Sequence, residues 1–241
     1  MSPAPELSVV VPVFNERDNI PSLVGEIAAA LDGHVDYEIL YVDDASSDDS
    51  QAVLTDLKAR QPRLRVLRHL RQSGQSTAVW NGVRAARAPW IATLDGDGQN
   101  DPADIPKLLA MRDTHDDRTK LFAGWRVERK DSASKRLASR FANALRRRLL
   151  HDDTPDTGCG IKLFEREAFL TLPYFDHMHR YLPALMQRAG WQVQSVPVNH
   201  RPRTAGQSKY NNLRRALVGI SDLRGVSWLI RRARVTGVEE R

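Results

Sequence analysis

Two carboxylates one residue apart, at the end of a short apolar run, are the residues in this chain best suited to chemistry. Trp90-Ile91-Ala92-Thr93-Leu94 leads straight into Asp95-Gly96-Asp97-Gly98-Gln99-Asn100. Asp95 and Asp97 are hard oxygen donors of the kind Mg²⁺ and Mn²⁺ prefer, and Mg²⁺ is commonly held by one or two carboxylates plus substrate phosphates. Gln99 adds a neutral oxygen. Gly96 and Gly98 let the backbone bend and let a ligand come close. Asp and Gly also make ordinary polar turns, so this stretch alone leaves both readings open, and the neighbouring strand ends are needed to weigh them.

Those ends are polar in a consistent way. The β-branched run Leu7–Val13 stops at Phe14-Asn15-Glu16, and Tyr37–Val42 stops at Asp43-Asp44. Leu64–Arg68 is followed by Arg71-Gln72-Ser73-Gly74-Gln75, and residues 90–94 stop at Asp95 and Asp97. Helical segments are expected between them, from Ile20 to about residue 31, from Ser50 to about Arg60, and over 76–87. Asn19 or Asp18 is expected to cap the first of these, with Pro21 in its opening turn. Strands alternating with helices predict an α/β fold: a mostly parallel central sheet with helices on both faces. Ligands bind such sheets beyond the carboxyl ends of the strands, where all four polar ends would meet. The dinucleotide fingerprint G-x-G-x-x-G and the phosphate-binding loop ending in Gly-Lys-Ser/Thr are both absent, which argues against a dehydrogenase and a P-loop NTPase.

Further along, a helix after Asp101-Pro102, a polar loop over 113–119 and a strand at 121–125 are expected. A helix follows over 132–150, with Ala133, Leu137, Phe141, Leu145 and Leu149 in one stripe. Then come a strand at 161–164, short helices near 165–171 and 180–189, and a strand near 191–199. The chain has 241 residues and a formal charge of +6, unevenly spread. Residues 125–150 carry nine Lys/Arg against two Asp/Glu, and residues 199–241 carry ten against three. Two basic segments on an otherwise acidic body suggest an anionic partner. The helix over 132–150 reads either as a domain helix with a solvated basic face or as an interfacial helix on anionic lipid. Residues 211–234 are too broken to span a bilayer but suit its interface or a membrane partner. The loop Arg201–Tyr210 gathers cations, hydroxyls and glycine, as a flap over phosphate would.

Aromatic residues make up 7% of the chain, with few in the basic segments, so base stacking on nucleic acid is not expected. His177 and His179 lack the companions of a tetrahedral zinc site and are expected to pack or hydrogen-bond. Cys159 is the single cysteine; no intrachain disulfide is possible, and a small buried residue is expected there. Met1–Glu6 lacks the pattern of a signal peptide, and no apolar run reaches the ~18 residues of a membrane span.

Taken together, the motifs resemble the inverting family 2 glycosyltransferases of the dolichol-phosphate mannosyltransferase branch. The resemblance covers about residues 7–212. It rests on Val11-Pro12-Val13-Phe14-Asn15-Glu16, Val42-Asp43-Asp44-Ala45-Ser46 and Asp95-x-Asp97-x-Gln99. It continues through Gly124-x-Arg126 with Arg140 fourteen residues on, Asp156-x-x-Cys159-Gly160, and Arg203-x-x-Gly206-x-Ser208-Lys209-Tyr210. The resemblance implies a GT-A fold. Residues 1–124 would form the nucleotide-sugar half, 125–212 the acceptor half of the same domain, and 213–241 a basic amphipathic segment associated with a membrane or partner.

The resemblance also implies roles. Pro12, Phe14, Glu16, Asp43 and Asp44 would hold the nucleoside, with Gln75, Asp95 and Gly96 completing the nucleotide site. Asp95, Asp97 and Gln99 would hold Mg²⁺ or Mn²⁺. Arg126, Arg140, Arg203, Ser208 and Lys209 would grip the acceptor phosphate, with Asp97, Arg126, Arg140 and Arg203 nearest the chemistry. Gly96 stands where Ala is common, and Lys162 where Arg is frequent. The two to four C-terminal membrane spans of many bacterial relatives are missing, which implies a peripheral enzyme at the inner, cytoplasmic face of the membrane, with a small membrane protein as a possible partner.

The implied reaction moves a sugar from a UDP- or GDP-sugar to polyprenyl phosphate with inversion. A phosphate monoester is already anionic at pH 7, so no strong base is needed. The alternatives are a family 2 transferase acting on a soluble sugar or polysaccharide, which needs a carboxylate base, and a non-catalytic nucleotide-sugar-binding protein.

Overall fold

Leu7–Val13 forms β1, near the middle of the sheet in the computed structural model, which describes residues 4–126, 146–202 and 212–234. Every β1 residue is buried, as expected of a strand covered on both faces. β2 (Tyr37–Asp43) and β4 (Trp90–Thr93) flank it in parallel, Val13 pairing with Asp43 and Val10 with Thr93. β3 (Leu64–Arg68) lies outside β2, also parallel. α1 (Ile20–Leu31), α2 (Ser50–Arg60) and α3 (Gln75–Ala85) are the crossovers. Two apolar clusters result: Ile20, Leu23 and Ile27 of α1 pack against Val9 and Val11 in one, and Val79 and Val83 of α3 against Val10 and Leu40 in the other. Alternate β1 residues point to opposite faces.

The second half adds a reversal that periodicity does not foretell. A 3₁₀ turn (Pro102–Asp104) and α4 (Ile105–Thr114) lead to β5 (Thr119–Arg126). β6 (Lys162–Glu165) inserts between β4 and β5, antiparallel to both, and β7 (Gln192–Val198) closes the edge parallel to β5. The seven strands run β3-β2-β1-β4-β6-β5-β7. The expected mostly parallel sheet with helices on both faces is therefore present, with one strand reversed.

α5 (Arg166–Leu170), a 3₁₀ turn (Met178–Arg180) and α6 (Leu182–Arg188) pack on one face. Residues 146–150 are helical; the remainder of the helix expected over 132–150 lies outside the described residues. Residues 211–234 were expected to be interfacial, and they contain one helix, α7 (Asn212–Arg231). Val226 is buried against the protein, and Arg188 Nε donates to the Leu229 carbonyl at 3.0 Å. Among the described residues, no helix is long and apolar enough to cross a membrane.

One local expectation changes. Asn19 occupies the N-cap position of α1, but its side chain makes no cap bond; Nδ2 donates instead to Glu16 Oε2 at 2.7 Å. Asn19 already has helical backbone angles (φ −89°, ψ −26°) rather than the extended ones of a capping residue. Pro21 sits in the first turn as expected.

Candidate active site

The strand ends meet at one edge, and their loops are stitched together. Asn15 and Ala45 adopt left-handed backbones (φ 55° and 60°). Asn15 Oδ1 accepts from Ser47 N at 2.7 Å, and Asn15 N donates to Ser46 Oγ at 2.9 Å. Asp43 Oδ1 accepts from Ser46 N at 2.9 Å, and its other oxygen lies 3.6 Å from Arg68. Asp44 accepts from the backbone N of Ser73 and Gly74, both at 2.8 Å, and bonds His69 Nδ1 at 2.6 Å. Both Asp43 and Asp44, expected to hold a nucleoside, are thus buried and engaged in shaping the loops around that position. Glu16 accepts from Asn19, Phe14 is half-buried, and Pro12 reaches the main cavity.

The Asp95–Asn100 turn is tightly determined. Asp95 N donates to Asn100 Oδ1 at 2.9 Å, and Gln99 N to Asp97 Oδ1 at 3.1 Å. Asp95 Oδ1 accepts from Gln75 Nε2 at 2.8 Å, tying the Asp95–Asn100 turn to α3. A Cβ on Gly96 would lie 2.5 Å from Val13 Cγ1 and 2.9 Å from the Pro12 carbonyl, so glycine is required between the two acids. Burial raises the Asp95 carboxyl above its ordinary pKa, and the charge of Asp97 adds to the shift; Lys162, Gln75 and Arg126 oppose it. A cation between these acids would relieve that repulsion. Among the described residues no group of three or more His, Cys, Asp or Glu forms a closed cage. Two carboxylates completed by substrate phosphates fit Mg²⁺ or Mn²⁺.

Beneath this edge lies a cavity of about 350 Å³. Pro12, Gln75 and Asp95 border one side, Thr157–Gly160 and Lys162 another, and His179 and Arg180 a third. Lys162 pairs with Thr93, two residues below Asp95, and its Nζ donates to the Cys159 carbonyl. Burial lowers the Lys162 pKa, with Cys159, Asp95 and Asp156 opposing the shift. His179 Nδ1 bonds Ser76 Oγ at 2.6 Å; burial, then the charges of Arg180 and Lys162, hold its pKa well below the ordinary value. His177 pairs with Asp222 at 3.0 Å, so both histidines are hydrogen-bonding residues as expected. Cys159 is fully buried, also as expected.

Arg126, expected on the acceptor phosphate, faces Asp156 in a two-pronged pair, Nε to Oδ2 at 2.6 Å and Nη2 to Oδ1 at 2.9 Å. Those bonds raise its pKa and fix residues 156–160 beside the Asp95–Asn100 turn. Arg140, Arg203, Ser208 and Lys209 lie outside the described residues. The chain approaches the last three from beside the site: Arg201 N donates to the Gln99 carbonyl at 3.1 Å and Arg201 Nη2 to the Asn100 carbonyl at 2.8 Å. Lys162, Arg180 and Asn100 were assigned no role from the sequence, and His179 only that of packing or hydrogen bonding. For Lys162 the available signals were a charge within the apolar run Ile161–Phe164 and its place where the resembled family often has Arg; for Arg180 there was none beyond composition.

Residues 8–172, more than half the chain, match the family described as Glycosyl transferase family 2. The chain belongs to glycosyltransferase family 2. A dodecaprenyl-phosphate galacturonate synthase of Rhizobium johnstonii is 34% identical over 94% of this chain and 68% of its own length. An undecaprenyl-phosphate 4-deoxy-4-formamido-L-arabinose transferase of an Enterobacter species is 33% identical over 87% of this chain and 64% of its own. This chain therefore spans about two thirds of the length of those curated relatives. Among solved structures, glucosyl-3-phosphoglycerate synthase of Mycobacterium tuberculosis, in complex with Mn²⁺, UDP and glucosyl-3-phosphoglycerate, superposes with a TM-score of 0.68. The two are 20% identical, and the match covers 95% of this chain and 80% of that one. The GT-A fold expected of this family 2 transferase is thus observed, and its relatives include transferases named for polyprenyl-phosphate acceptors.

Proposed function

We propose that this transferase moves a sugar from a nucleotide-sugar to a polyprenyl phosphate at the inner face of the cell membrane. The observation that carries the reading is the charge inventory of the cavity. Among the described residues lining it, Asp95 is the one carboxylate, and it belongs to the metal turn, while the His179 imidazole is engaged by Ser76 through Nδ1. A sugar hydroxyl acceptor needs a base to take its proton; a phosphate monoester arrives as an anion and needs none. The relatives named for polyprenyl-phosphate acceptors support the same choice.

In the step proposed, an acceptor phosphate oxygen forms a bond to the anomeric carbon as the bond from that carbon to the nucleotide diphosphate breaks. The electron pair leaves with the nucleoside diphosphate, and the configuration inverts. Asp95 and Asp97, with Gln99 beside them, would hold Mg²⁺ or Mn²⁺, which supplies Lewis-acid neutralisation of the leaving diphosphate. Pro12, Phe14, Glu16 and the loops shaped by Asp43 and Asp44 receive the nucleoside. Gln75 keeps Asp95 oriented, and the turn at Gly96 admits the diphosphate. Arg126 holds the 156–160 wall through Asp156, while Arg140, Arg203, Ser208 and Lys209 are assigned to the acceptor phosphate. Residues 1–124 then serve the donor and 125–212 the acceptor.

α7 supplies a surface for the bilayer. Ile220, Arg224, Trp228, Arg231 and Arg232 recur at helical spacing on the exposed side, opposite Leu223, Val226 and Ile230. Exposed Leu149, Arg147 and Arg148 lie nearby, since Ser227 Oγ bonds the Leu149 carbonyl at 3.4 Å. Apolar side chains ringed by arginine suit an anionic lipid interface. Co-sedimentation should occur with phosphatidylglycerol vesicles, weaken with phosphatidylcholine, and fall in Trp228→Ser.

The function is tested by incubating the protein with UDP- and GDP-sugars, Mn²⁺ and polyprenyl phosphate, then taking mass spectra of the lipid. A prenyl-phosphate-sugar product is expected. Transfer to soluble sugars with none to the prenyl phosphate would overturn the assignment.

A further inference from the structure

Two cations of the cavity below the metal turn, Lys162 and Arg180, have no carboxylate in contact among the described residues. Lys162 is 5% exposed, and its ammonium has one partner among the described residues, the carbonyl of Cys159. Arg180 is half-buried on the cavity wall, and its guanidinium has no hydrogen-bond or carboxylate partner among the described residues. His179, held by Ser76, feels the charges of both. The one carboxylate in the described lining, Asp95, is engaged by Gln75 and the metal turn. Asp95 and Asp156 act on Lys162 from a distance, but among the described residues neither its ammonium nor the Arg180 guanidinium has a carboxylate in contact, a place that a ligand anion would fill.

Depth identifies which part of the substrate this anion belongs to. Lys162 is level with Thr93, two residues inside the sheet from Asp95. Asp95 and Asp97 stand at the sheet edge, where a diphosphate would be met. The floor of a cavity of about 350 Å³, walled by Phe164, Phe169 and Met178, accommodates a single sugar ring.

We propose that the donor sugar of this transferase carries a carboxylate, as a uronic acid does, and that Lys162 and Arg180 are the side chains that read it. The proposal deepens the nucleotide-sugar reading above and rests on it. Relatedness alone does not decide the sugar: the galacturonate synthase and the transferase of uncharged formamido-arabinose match at 34% and 33% identity. The unanswered charge in the cavity favours the first kind of donor.

The experiment first measures binding of UDP and of GDP alone, with Mn²⁺, by calorimetry on the full chain. It then compares UDP-galacturonate and UDP-glucuronate with UDP-galactose and UDP-glucose, which differ only at carbon 6, in binding and in transfer to polyprenyl phosphate. A uronate preference of tens of fold in kcat/KM is expected, the scale of one charge-assisted hydrogen bond. Arg180→Gln and Lys162→Met should each cut the ratio of uronate to neutral sugar at least tenfold, and Arg180→Lys should restore part of it. Equal use of both sugar types by the parent protein would overturn the proposal. So would variants that lower both substrates equally, because the cations would then serve a phosphate common to all donors. Failure to bind either free nucleotide would instead bring down the donor reading itself, and this proposal with it.

Discussion

Gly160→Ala should silence the enzyme while leaving it folded. A Cβ built on Gly160 would collide with the Asp95 carboxylate and stand 2.5 Å from Asn100 Oδ1, whereas ordinary contact begins at 3.4 Å. Asn100 must therefore retreat by about 0.9 Å. Its Oδ1 now accepts from Asp95 N at 2.9 Å, so the retreat carries that bond beyond useful length. The bond's net contribution is about 1 kcal/mol, which lowers Tm by about 2–4 °C in a chain of this size. The effect on turnover is larger, because displacing a reacting arrangement by about 1 Å costs about 100-fold. Thermal melting and kcat/KM, measured side by side, separate the two. Gly25→Ala is the control: nothing lies within 4 Å of a Cβ there, and α1 should gain about 0.5–1 kcal/mol. Gly160→Ala with kcat/KM within threefold of the parent would refute the reasoning, as would a variant that fails to fold.

Asp97→Ala should lower transfer by at least about 10²-fold while Tm stays close to the parent value, and chelation by EDTA should mimic it; full activity of that variant in EDTA would reject the metal turn. Glu38 gives a pH signature. Burial pushes its carboxyl up, but bonds from Ser8 at 2.7 Å, Arg65 at 2.6 Å and Arg87 N at 2.7 Å outweigh this, and its pKa is lowered. A depressed folded pKa contributes stability above the unfolded value, about 4.3, and loses it as pH falls through the folded one. Calorimetric Tm should therefore drop more steeply below about pH 4.3 in the parent than in Glu38→Gln; parallel slopes would contradict this. The Cys159 thiol is fully buried, and burial raises its pKa, so a disulfide reagent should label it only at the rate of unfolding. Prompt labelling of native protein would count against the packing described.

Much of the first half of the chain was legible. β1 and β2 are β-branched or aromatic runs ending in polar residues, and Asp95-x-Asp97 after β4 marks a site because strand ends share an edge. The reversal of β6 was not legible: Lys162–Glu165 has only four residues, too few for a period to declare direction. Arg126 looked like an anion gripper, yet its guanidinium meets Asp156, thirty residues away. Such long-range pairing leaves no local trace. Nor does the bond from Ser76 to His179, which brings the 178–180 turn onto the wall of the cavity from over a hundred residues away.

The reversed strand has an evolutionary consequence. Because β6 runs backwards, the chain both leaves β5 at Arg126 and re-enters at Lys162 on the same rim, its two feet braced by the Arg126–Asp156 pair. Insertions or deletions between those feet can remodel one bank of the cleft without shifting any strand's register. On the division of roles proposed above, changes there would alter the cargo accepted and leave the loops after β1 and β2 as they are.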